Sequence, residues 1–107
     1  MWRALANLEA SGWRQVGGTL YLTNTRLVFA AGRVDAALTR MPNWSLWRGD
    51  VAEISLLPRF RSVNGRKGPA AARPRLLVRS TVGAQDAFVV NRAAAKVEEL
   101  RRLLGLS

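Results

Sequence analysis

The run from residue 19 to residue 30 constrains the fold more than any other part of the chain. Thr19-Leu20-Tyr21-Leu22-Thr23 alternates leucine with threonine and tyrosine, the two-residue period of a strand with one buried face. Asn24-Thr25 interrupts it with a compact turn, since asparagine tolerates left-handed backbone and bonds its own main chain. Arg26-Leu27-Val28-Phe29-Ala30 then resumes the alternation. An antiparallel hairpin gathers Leu20, Leu22, Leu27 and Phe29 on one side, whereas a helix would scatter them.

A lone hairpin is marginal in water, so further strands must share its apolar face. Residues 3–10 offer an opening strand, although Leu5 and Leu8 leave its period open between strand and helix. Gly12, Gly17 and Gly18 bracket a turn before the hairpin. Residues 31–43 form a connection punctuated by Gly32, Pro42 and Asn43. Trp44-Ser45-Leu46-Trp47 is a short strand candidate, Arg48-Gly49-Asp50 a turn, and residues 51–57 a strand or a brief helical turn entering a strand, with Ile54 and Leu56 as core positions. Residues 58–74 carry three prolines, two glycines and five basic residues, the composition of a long loop. Residues 75–80 alternate again, with Leu76 and Val78 inward and Arg75 and Arg79 outward. A turn around Gly83 leads to a last strand, Ala87-Phe88-Val89-Val90.

The chain then changes period. Ala93, Val97, Leu100 and Leu104 fall on one face of a helix. Asn91 is placed to cap its start, and Gly105 sits where a left-handed residue ends a helix. The fold expected is mainly β with one C-terminal α-helix: about seven antiparallel strands in a strongly bent sheet, plugged at one open end by the helix, as a single domain over residues 1–107. That length suits one domain.

The hairpin Gly17-Gly18-Thr19-Leu20-Tyr21-Leu22-Thr23-Asn24-Thr25-Arg26-Leu27-Val28-Phe29 resembles the signature hairpin of GRAM domains. Asp50-Val51-Ala52-Glu53-Ile54 is similar to the acidic-aliphatic pair that precedes that family's next strand, and Phe88-Val89-Val90 running into the final helix fits as well. The resemblance covers residues 4–104. It implies a PH-like barrel capped by the helix. It also implies a non-catalytic module associated with membranes, through lipid headgroups, and with protein partners.

Catalytic material is scarce. The chain has no histidine and no cysteine, the usual general base, thiol nucleophile and zinc ligands. Glu98 and Glu99 are neighbours on the helix and diverge, while Asp50 suits a turn role. No Gly-x-Ser-x-Gly elbow occurs, and Asn64-Gly65-Arg66-Lys67-Gly68 lacks the spacing and the hydroxyl residue of a phosphate-cradling loop. The expectation is a protein that is not an enzyme and needs no cofactor or metal.

Charge points to a partner instead. Lys plus Arg number 17 against 7 Asp plus Glu, a net +10. Lys67 and Lys96 are the sole lysines, and this arginine-rich, alanine-rich usage fits a GC-rich bacterial coding sequence. The densest basic segment supplies Arg59, Arg61, Arg66, Lys67, Arg73 and Arg75 with no carboxylate between them, the candidate site for an anion or lipid headgroup. Arginine suits phosphate because its planar fork donates paired hydrogen bonds. The same charges would also serve a loop that is merely solvated. Phe60 is the one aromatic residue among them, too little for a nucleic-acid stacking platform. Trp44 and Trp47 are three apart, so as strand residues one faces the core and the other the outside. An exposed Trp2 or Trp13 at an open strand edge would point to self-association or a partner strand.

No apolar h-region of a secretory signal occurs near the N-terminus, and no run approaches the roughly 20 apolar residues of a membrane span. The expected location is cytoplasmic, with peripheral contact at the inner face of the membrane. The expected partner is an anionic membrane surface or a protein. Nucleic-acid binding through the basic surface and a structural homo-oligomer are the alternatives.

Overall fold

The computed structural model describes residues 2–11, 14–31, 44–58 and 73–106. They form seven strands and a terminal helix: β1 (Trp2–Ser11), β2 (Arg14–Leu22), β3 (Arg26–Ala31), β4 (Trp44–Trp47), β5 (Val51–Leu57), β6 (Arg75–Ser80), β7 (Gln85–Val90) and α1 (Ala93–Leu104). All pairings are antiparallel, and the strands make one sheet in the order β4-β3-β2-β1-β7-β6-β5. The chain thus lays down β1–β4 as one meander and β5–β7 as a second. β7 returns to pair with Ala6, Asn7 and Leu8 of β1.

The two edge strands are neighbours in sequence. Only a 3-10 turn, Arg48–Asp50, separates β4 from β5. Four residue steps reach at most about 14 Å. A flat sheet of this order would hold its edges about 29 Å apart. The sheet must therefore curl until its edges meet at this corner, although no ladder joins β4 to β5 among the described residues.

Contacts across the interior show the same bend. Trp44 of β4 meets Phe88 of β7 edge-on, with ring centroids 5.3 Å apart, and its indole Nε1 donates to Asp86 Oδ2 at 3.1 Å. Phe29 of β3 packs on the same Phe88 at 5.6 Å. Sheet order separates β4 from β7 by three strands, so these side chains meet through the core.

The inner face is the expected one for the hairpin: Leu20, Leu22, Leu27 and Phe29 are all buried. Ala93, Val97 and Leu100 of α1 close over Ile54, Leu76, Val78 and Phe88 in one cluster, with Leu104 at its margin. Three polar bonds fix the helix. Trp2 Nε1 of β1 donates to Glu99 Oε2 at 2.9 Å. Arg101 Nη1 donates to the Ile54 carbonyl of β5 at 3.2 Å. Arg48 donates to the Leu103 carbonyl at 2.7 Å and to the Thr23 carbonyl at 3.1 Å, tying the helix end to the β2–β3 turn. Gly105 ends the helix at φ 72°, its amide and that of Leu106 bonding back to Arg102 and Arg101.

Several expectations are corrected. Gly17 and Gly18 lie inside β2, paired with Asn7 and Ala6, because a continuous partner strand outweighs the weak strand preference of glycine. A register shift between Val51 and Glu53 brings Val51 inward with Ile54, while Leu56, on the edge strand, stays 41% exposed. Residue 92, not Asn91, occupies the helix N-cap, in left-handed geometry (φ 54°) and with no side-chain cap. Arg75 points not into solvent but into a fully buried ion pair. Most of the 31–43 connection and the 58–74 loop lies outside the described residues, as does Trp13. No helix among the described residues is long and apolar enough to cross a membrane.

Candidate anion-binding face

Of the six basic candidates, Arg73 and Arg75 fall among the described residues; Arg59, Arg61, Arg66 and Lys67 lie outside them. The two described arginines have different roles. Arg75 Nη1 donates to Glu9 Oε1 at 2.9 Å, Nη2 to the Pro58 carbonyl at 3.1 Å and Nε to the Arg73 carbonyl at 3.2 Å. That guanidinium holds the fold. Arg73 is exposed and borders a surface hollow.

The hollow is built by strand alternation. With Leu20, Leu22, Leu27 and Phe29 facing the core, Thr19, Tyr21, Arg26 and Val28 face away from it. Cross-strand register places Arg3 opposite Tyr21 and Leu5 opposite Thr19 on this outer side. Leu5 is 81% exposed. It stands between two depressions. One, of about 300 Å³, is bordered by Asn7, Gly18, Val89 and Arg73. The other, of about 370 Å³, is bordered by Arg3, Thr19 and Tyr21. An exposed leucine is thus flanked by two exposed arginines from distant parts of the chain.

The electrostatics of this face are one-sided. Among the described residues of β1–β4, Glu9 is the only carboxylate, and it is buried against Arg75. By contrast, Arg79 on β6 is matched by Glu53 at 3.0 Å, both half exposed. Nothing comparable offsets Arg3 or Arg73 in the described residues around Leu5. The described residues contain no group of three or more acidic, His or Cys side chains able to hold a metal.

The sequence singled out Arg73 as a candidate but not Arg3 or Leu5, which border the same face. Their proximity arises from β1 pairing with both β2 and β7, a long-range feature that no local pattern announces.

No family model matches the chain, and no curated protein matches it. Among solved structures, it is similar to the C-terminal domain of an unknown protein from Leishmania infantum, with a TM-score of 0.65 at 11% identity, over 97% of this chain and 82% of that one. Identity that low speaks for the fold alone.

Proposed function

We propose that the chain is a non-enzymatic binding module of the GRAM/PH-like type, its bent sheet and terminal helix forming the barrel-like shell of that class, and that it docks peripherally on anionic membrane lipid. The observation that carries this reading is Leu5 standing exposed between Arg3 and Arg73 on a face whose one described carboxylate is already paired. An apolar side chain flanked by two arginines suits the boundary between headgroup phosphates and acyl chains. The basic run Arg59, Arg61, Arg66 and Lys67 adds to the same attraction, the whole chain carrying +10. Each cation near an anionic leaflet contributes about 1 kcal/mol, so three or four suffice for reversible binding. On this reading the protein is cytoplasmic and docks at the inner face of the membrane.

The absence of histidine and cysteine from the sequence, together with the pairing of Glu9, the one carboxylate among the described residues of β1–β4, with Arg75, favours a binding role over a catalytic one. Sedimentation with lipid vesicles tests the reading. The protein should pellet with phosphatidylglycerol-containing vesicles at low salt and stay in solution with pure phosphatidylcholine. Remaining in solution with both would refute it.

A further inference from the structure

The outer side of β1–β4 carries a second apolar prong. Trp47 of β4 is 59% exposed, and the Arg26 guanidinium lies 5.6 Å from its ring centroid. Register sets Trp47 opposite Arg26, on the side of the sheet that also bears Leu5. Leu5 lies opposite Thr19, Thr19 opposite Ala30, and Ala30 is four residues along β3 from Arg26. The two prongs are therefore about 14 Å apart across the strands and about 13 Å along them. Half-buried Tyr21 and Val28 fill the ground between. Each prong has its own exposed arginine, Arg3 beside Leu5 and Arg26 over Trp47.

Resting on the membrane reading above, we propose that the outer face of β1–β4 is the surface that lies on the bilayer, with Leu5 and Trp47 as its two apolar anchors. Three separated prongs would fix a plane, and two with a Tyr-Val bridge fix a line of contact along the face. Tryptophan and tyrosine settle at the headgroup level, and arginine stems lie along apolar surface while their guanidinium groups reach phosphate. Charge complementarity selects an anionic occupant: Arg3, Arg26 and Arg73 would repel the same face of a second copy. A single-stranded nucleic acid would need free aromatic faces at successive positions, whereas Arg26 already covers one side of Trp47 and the other prong is aliphatic.

The experiment measures partitioning of the full chain onto vesicles of mixed phosphatidylglycerol and phosphatidylcholine. Leu5→Ser and Trp47→Ser alter exposed positions, and circular dichroism verifies that both remain folded. Val82→Ser is the control: Val82 is 89% exposed, but in the turn between β6 and β7. Each of the first two should weaken partitioning about tenfold, and the control should leave it unchanged. If wild type binds while Leu5→Ser and Trp47→Ser bind equally well, this face is overturned as the contact, and the membrane reading stands without it. If all three variants weaken alike, the effect is not specific to the face and the proposal also falls. If wild type itself does not bind, the membrane reading and this orientation fall together.

Discussion

Arg75 reaches across β7 to Glu9, Nη1 to Oε1 at 2.9 Å, with the two side chains 0% and 7% exposed. β7 lies between their strands, so the pair spans two strand spacings, about 10 Å. Ala87 and Val89, the β7 residues on that side of the sheet, are both buried there. The bridge ties β1 of the first meander to β6 of the second, at the seam that makes one sheet of two.

Removing one partner strands a buried charge. Arg75→Met is expected to cost about 3–5 kcal/mol in denaturant unfolding. A double variant with Glu9→Leu should recover much of that loss, because it removes both charges. Additive losses would show that the two residues do not act as a pair. If the Arg75 role is structural, the folded fraction of Arg75→Met should still pellet with anionic vesicles.

The helix lid is the next element to test. Leu100 is fully buried beneath the sheet, and Leu100→Ala should cost about 2–5 kcal/mol. A chain ending at Asn91 should lose cooperative thermal unfolding, since Ile54, Leu76 and Phe88 would lose the side chains that cover them. Trp2→Phe removes the indole donor to Glu99 while keeping most of the ring packing, for a smaller loss of about 1 kcal/mol.

Three glycines make a test of backbone geometry. Gly49, Gly83 and Gly105 all have open space where a Cβ would stand, but Gly83 and Gly105 have φ of 90° and 72°. Alanine at either of these should destabilise by about 1–2 kcal/mol. Gly49→Ala should instead stabilise by about 0.4–1 kcal/mol, by restricting the unfolded chain. Matched urea unfolding curves decide the sign.

These elements were not equally legible in the sequence. The hairpin could be read because Leu20, Leu22, Leu27 and Phe29 alternate without interruption, and α1 because Ala93, Val97 and Leu100 repeat at helical spacing. Arg75 was misread because strand alternation gives the side of a sheet, not whether that side is covered. Arg75 and Arg79 share the outer side of β6, yet one is wholly buried and the other exposed. Its partner Glu9 lies 66 residues away, beyond any local signal. Leu56 was misassigned because the register shift near Val51 and the edge position of β5 leave no mark in composition. The outer face of β1–β4 was invisible for a related reason. Leu5, Arg3, Arg26 and Trp47 come from three strands and become one surface only through register. The opposite facing of Trp44 and Trp47 followed directly from their odd spacing.

Attraction between the positive charge of this chain and an anionic bilayer should weaken as salt screens it. Its most direct measurement is the partition coefficient onto phosphatidylglycerol-containing vesicles as sodium chloride rises from about 0.01 to 0.5 M, over which the Debye length falls from about 30 Å to under 8 Å. Tight binding is expected at the low end and should be largely lost at the high end, with pure phosphatidylcholine never bound. Partitioning that ignores salt, or that is equal on the two lipids, would contradict it.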